Sequence, residues 1–168
     1  NHDSLDTALY SKIAEKLEYN RCNDGAWNQA NGTHFSSIYG TFLAISAYQN
    51  LDQEVPDEVK AVAALKGLKS KDGAFGTDRA AESGSTPASA MAVLLLSYLE
   101  EPFKFCVDWL LKQQHSDGGF RALAQMPFSD VQSTVFTLFA LKFTAPAEFD
   151  AVKDESQRFL LSMKKTSG

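Results

Sequence analysis

Few side chains in this 168-residue chain can do chemistry unaided. It has two cysteines, Cys22 and Cys106, and three histidines, His2, His34 and His115. A protein-held metal needs soft or imidazole ligands clustered at close spacing, and these five are scattered. There is no His-Glu-x-x-His pair, no serine nucleophile elbow and no phosphate-cradling glycine loop. Phosphate recognition wants clustered cations. Arg79 and Arg121, and more weakly Arg21, stand beside glycine turns and are the candidates for it.

The elements that would position these residues come from a repeat, which is sought first because missing one misreads the whole fold. Asp24-Gly25-Ala26-Trp27 recurs as Asp72-Gly73-Ala74-Phe75 and again as Asp117-Gly118-Gly119-Phe120, at spacings of 48 and 45 residues. An amphipathic helical pattern precedes each tetrad, and a more apolar one follows it. The amphipathic pattern is clearest at Phe103, Cys106, Val107 and Leu110, which lie at i, i+3, i+4 and i+7. Leu5, Leu9, Ile13 and Leu17 make a similar stripe, as do Val55, Val59 and Val62, and Phe149, Val152, Phe159 and Met163. Pro56, Pro102 and Pro146 stand near the starts of the last three such patterns, where a missing N–H is tolerated.

Met91–Leu96 and Val135–Phe143 are apolar almost all round, as befits helices covered on more than one side. The alternation predicts two layers, with one-sided helices outside and all-round ones inside. In each tetrad, the glycine supplies a positive φ that ends the outer helix. The aspartate bonds nearby amides, and the aromatic enters the core. Thr33-His34, Ser85-Thr86 and Ser129-Asp130 align as inner-helix N-caps. Tyr39, Met91 and Val135 then share a column, and so do Leu43, Leu95 and Phe139. The expectation is an all-α chain of about seven helices, four outer and three inner. Lys165-Thr166-Ser167-Gly168 aligns with His115-Ser116-Asp117-Gly118, so residues 1–168 read as one repeat domain that stops within a fourth repeat.

Composition is that of a globular domain, with 44% apolar and 22% charged residues. The longest apolar run, Ala90–Leu96, is too short to span a bilayer. Net charge is −5, from 16 basic and 21 acidic residues, with no basic stripe, which argues against a nucleic-acid partner. One disulfide is conceivable, but a reduced, cytoplasmic chain is the simpler reading. The Asn1-His2-Asp3-Ser4 start has no initiator Met and no signal-peptide pattern. It reads as the interior of a larger gene product, or as a processed end.

The stretch Trp109-Leu110-Leu111-Lys112-Gln113-Gln114-His115-Ser116-Asp117-Gly118-Gly119-Phe120 is similar to the QW-type repeat of squalene–hopene cyclases. It equally resembles the repeat of protein prenyltransferase β subunits, and Asp130-Val131-Gln132-Ser133-Thr134-Val135-Phe136 continues the likeness. The resemblance covers nearly the whole chain. It implies an α/α toroid, here an incomplete α–α barrel, in which helical hairpins build an inner and an outer ring. Complement-type thioester domains share that toroid, but their Cys-Gly-Glu-Gln signature is missing.

The resemblance also implies where chemistry would sit. In class II terpene cyclases an Asp-x-Asp-Asp motif at an inner-helix start supplies the acid. In protein prenyltransferases Asp-x-Cys at that place gives two zinc ligands. Here both motifs map onto Asp130, Val131, Gln132 and Ser133. Only Asp130 is kept, and Gln132 is not a proton donor. Asp130 is thus the one catalytic candidate, with an N-cap as its simpler role.

No metal or cofactor is evident within the chain, so zinc or magnesium would have to come from a region beyond it. The resemblance implies an isoprenoid or other apolar ligand in the toroid centre. His34, Arg79 and Arg121 would stand at its rim, and Tyr39, Phe128 and Phe136 among its lining, with Phe35, Phe75 and Phe120 as further aromatic candidates. A non-catalytic scaffold or interaction module is the alternative. Cys22 and Cys106 read as small core residues. The open end of so short an array predicts association with another copy or with the rest of its own chain.

Overall fold

The computed structural model describes residues 2–30 and 32–164, with side chains from residue 8 onward. Among these there are seven helices and no strand. They are α1 (His2–Tyr19), α2 (Ile38–Asn50), α3 (Glu58–Lys66), α4 (Thr86–Tyr98), α5 (Lys104–Leu111), α6 (Val131–Thr144) and α7 (Pro146–Ser162). The inner layer runs α2, α4, α6, with α4 packed on both neighbours. In the outer layer α3 backs α2, α5 backs α4 and α7 backs α6. This is the expected two-layer architecture. The stop inside a fourth repeat falls at residues 165–168, outside the described residues.

Each tetrad forms one compact turn. The glycines have φ of +93° (Gly25), +90° (Gly73) and +87° (Gly118), a region costly for residues with a Cβ. The turn is closed by an amide pair across it: the Cys22, Ser70 and His115 N–H groups donate to the Ala26, Ala74 and Gly119 carbonyls at 2.8, 2.9 and 2.8 Å. The aromatics Trp27, Phe75 and Phe120 are fully buried. Their backbone N–H groups donate to the hydroxyls of Thr41, Ser89 and Thr134 at 3.4, 3.1 and 2.9 Å. A buried amide left without a partner costs about 1–3 kcal/mol. That makes these hydroxyls structural and fixes how each inner helix is rotated against its turn.

Small residues let the helices approach closely. Gly40, Ala44, Ala88, Ala90, Ala92 and Ala140 are all buried. A Cβ on Gly40 would lie 2.5 Å from the Asn28 Cα. Adjacent units are also stitched through backbone. The Ile38 N–H donates to the Thr77 carbonyl at 3.1 Å, and the Thr86 N–H donates to the Ala122 carbonyl at 2.8 Å. In α1, Glu18 accepts a hydrogen bond from the Tyr48 hydroxyl at 3.3 Å. Burial and the Glu18 carboxylate push that phenol up to about 12.

The structure corrects the sequence reading in four places. The N-cap of α2 is Ser37, whose side chain accepts from the Gly40 N–H, not Thr33-His34, which lie in the preceding loop. The inner-helix columns therefore shift: Thr41, Ser89 and Thr134 correspond, and Tyr39 pairs with Pro87 and Gln132 rather than with Met91 and Val135. The outer helices end well before the tetrad glycine, at Lys66 and Leu111, so that glycine shapes the turn rather than capping the helix. Leu9, Val59 and Met163 are exposed, so three of the four outer stripes are narrower than drawn.

Glycine substitution separates backbone strain from crowding. At Gly73 an added Cβ meets nothing within 4 Å, whereas at Gly118 it lands 2.5 Å from the Glu155 carbonyl oxygen. Gly73→Ala is expected to cost about 1–2 kcal/mol from φ alone. Gly118→Ala should cost about 1–3 kcal/mol more, read from urea unfolding midpoints.

Candidate functional site

With the register set by the hydroxyl column, each inner helix presents one row away from the outer layer. The rows are Tyr39, Leu43, Ser46 and Asn50 on α2; Pro87, Met91, Leu94 and Tyr98 on α4; and Gln132, Phe136, Phe139 and Phe143 on α6. Tyr39, Leu43, Tyr98, Phe139 and Phe143 are all exposed. The rings of Phe139 and Phe143 meet at 4.9 Å between centroids. Between the helices lies a cavity of about 260 Å³ lined by Phe42, Ile45, Ser46, Gln49, Asn50, Leu94, Leu95, Tyr98 and Phe139. An apolar wall with a few amide and hydroxyl groups at its edge suits a hydrocarbon ligand.

Sequence reasoning placed Tyr39 and Phe136 on this row. It missed Leu94, Tyr98 and Phe143, although the i, i+4, i+7, i+11 spacing carries them once the helix starts are right. Phe128 is exposed in the loop before α6 and lines none of this cavity.

The cations sit in the loops at the tetrad end of the bundle. The Arg79 guanidinium donates to Asp24 at 3.4 Å and lies 4.6 Å over the Phe35 ring, which ties unit two to unit one. Arg121 donates to the carbonyls of Lys112 at 3.0 Å and Gln113 at 3.4 Å. Both are held by the protein itself. Arg21 is likewise engaged, donating to the Pro56 carbonyl and facing Asp57. His34 is exposed, with its Nδ1 3.2 Å from the Asn23 amide nitrogen.

Asp130 caps α6. Its carboxylate accepts from the Ser133 N–H at 2.8 Å and the Ser133 hydroxyl at 2.6 Å. Among the described residues no group of histidine, cysteine and acidic side chains has the arrangement of a metal site. Cys106 is buried on α5, with its Sγ 3.5 Å from the Ser89 carbonyl oxygen, and burial pushes its thiol up to about 12. Cys22 is buried in a turn beside Thr33, and burial raises its thiol too.

The tetrad aspartates are the most heavily bonded acids. Asp24, Asp72 and Asp117 each accept from the amide two residues on. Each then reaches a residue twelve on: Ser36, Gly84 and Ser129. Burial opposes the charge on Asp72. It is outweighed by the Ser70 hydroxyl and the Gly84 and Ala74 amides, which hold the carboxyl below the usual range. Asp117 is lowered in the same way, against burial, by Ser129, Gly119 and His115.

Three helical turn-and-hairpin units in two layers, with an apolar inner row, define an α/α toroid repeat. A family model for the prenyltransferase alpha-alpha toroid domain matches residues 1–104 and 88–168. The chain belongs to that family. A search of curated proteins finds no match. No described helix is long and apolar enough to cross a membrane.

Acid stability should report the aspartate turns. Because the Asp72 and Asp117 carboxyls are lowered on folding, their contribution is fully present above the ordinary aspartate pKa of about 4. It drains as pH falls through their lowered values. Asp72→Asn should flatten this limb, seen as a smaller drop in urea midpoint between about pH 5 and pH 2. In the folded protein at neutral pH, a thiol reagent should leave Cys106 unmodified and react with it only after denaturation.

Proposed function

We propose that this domain binds an extended apolar molecule of the isoprenoid type along its inner row, gripping the hydrocarbon rather than a charged head. The carrying observation is the exposed row Tyr39, Leu43, Tyr98, Phe139 and Phe143 beside the small apolar cavity. Arg79 and Arg121 already have protein partners, which leaves a diphosphate little to gain at the rim. Burying hydrocarbon there is worth about 25 cal/mol per Å², enough for binding without an ion pair. Asp130, the acid that the family's motif position offers, is committed to its own helix cap, so on this reading any transfer or cyclisation chemistry draws on other groups. A cytoplasmic location is part of the proposal, in keeping with two free, buried cysteines.

The second reading is a scaffold without a ligand. It is favoured by Asp130, whose two carboxylate oxygens are both spent on the α6 cap. Titration with farnesol and with farnesyl diphosphate, followed by intrinsic fluorescence, separates the two readings. The ligand reading expects both to bind with affinities within about threefold of each other, and Phe139→Ala to weaken both about tenfold or more. No binding of either leaves the scaffold. Binding of the diphosphate alone, lost in Arg79→Ala or Arg121→Ala, would restore the charged-rim picture.

A further inference from the structure

We propose that the preferred ligand is a hydrocarbon with a positively charged head, an ammonium, seated at the end of the bundle opposite the arginine turns. The proposal rests on the hydrocarbon reading above and gives that ligand a direction. Two cavities meet at this end. The apolar one, of about 260 Å³, is walled by Phe42, Ile45, Leu94, Leu95 and Phe139. A wider recess of about 580 Å³ is lined by Gln49, Asp52, Gln53, Glu54 and Tyr98. Gln49 and Tyr98 line both cavities. A chain lying in the first therefore reaches the second across a sill made of an amide and a phenol.

The polar groups at that sill favour a cation that donates hydrogen bonds. Asp52 and Glu54 are exposed, and among the described residues neither carboxylate has a cation or a hydrogen-bond donor beside it. No lysine or arginine lines either cavity. Lys142 on α6 lies 6.0 Å over the Phe143 ring and lines neither. The Asn50 amide nitrogen donates to the Ser46 carbonyl at 2.8 Å, which leaves the amide oxygen as an acceptor at the edge of the apolar cavity. Helices α2 and α4 both end here, at Asn50 and Tyr98, and a helix C-terminus carries partial negative charge. The Tyr98 ring is exposed and offers its face to an ammonium.

The opposite end offers no such vacancy in charge. There Arg79 is paired with Asp24, and Arg121 is spent on two carbonyls. A diphosphate placed at the sill would meet Asp52, Glu54 and two helix C-termini as repulsion. A neutral alcohol would use the Asn50 oxygen but not the two acids. Hydrocarbon burial thus supplies most of the affinity on this reading, and the charge of the head supplies the preference.

The test compares farnesylamine, which is an ammonium at neutral pH, with farnesol by titration calorimetry on the unmodified protein. It is run at low salt and below the concentration at which either ligand aggregates. Exposed charge pairs are individually weak, so the expected preference for the amine is about fivefold, shrinking towards none at about 0.5 M salt. Asp52→Asn with Glu54→Gln should abolish the preference and leave farnesol binding unchanged. Asparagine tolerates the positive φ that Asp52 adopts, so the turn is kept. Glu82→Gln with Asp154→Asn removes the same charge elsewhere and should keep the preference. Equal binding of amine and alcohol overturns the proposal while the hydrocarbon reading stands. A preference that survives the Asp52 and Glu54 changes, or that is lost equally in the reference variant, also overturns it. Binding of neither ligand overturns both.

Discussion

A carboxylate that bonds the backbone two residues ahead and an amide or hydroxyl twelve residues ahead sets the geometry of every unit in this molecule. At Asp72 the same side chain holds the Ala74 N–H inside the turn and the Gly84 N–H just before the next inner helix. The loop between them is thereby folded back on itself, and Phe75 is directed into the core. Its own amide then meets the Ser89 hydroxyl on the arriving helix. Rotation of that helix follows, and with it the choice of which side chains face the outer layer and which face the hollow. Because buried polar groups must find partners, the turn, the aromatic and the helix hydroxyl act as one unit. The same set recurs with Asp24, Trp27 and Thr41, and with Asp117, Phe120 and Thr134.

Much of this was readable in the residues. The three tetrads announced the turns, and the stripe Phe103, Cys106, Val107 and Leu110 announced a one-sided helix, whose last three members are fully buried. The start of α2 was misplaced because Thr33, Ser36 and Ser37 all offer cap hydroxyls and local chemistry cannot choose among them. Counting from the aromatic does choose, since Trp27, Phe75 and Phe120 each precede the true cap by ten residues. Val59 was read as buried because spacing reveals periodicity, not which neighbour is present. The same blindness affected the rim. Nothing near Arg79 in sequence says that Asp24 and Phe35, one unit of chain away, will occupy its charge and its flat face.

The inner row gains its character from what it lacks as much as from what it carries. Ser46, Asn50 and Gln132 are the polar members of a surface otherwise made of aromatic and aliphatic groups. Asp130, two residues before Gln132, is committed to its own helix. Family membership describes the frame, and the side chains of these three units give it an inner row made mainly of aromatic and aliphatic groups.

The array is also lopsided. Among the described residues α1 is tied to the rest through Leu17, which packs against the core, through Glu18 to Tyr48 and through the turn at Arg21. In a linear array each unit is stabilised only by the ones it touches, so fraying does not begin at both ends alike. On warming, the leading coil is expected to detach before the inner helices behind it lose their packing. Anything lodged between those helices is then insulated from the first stage of melting.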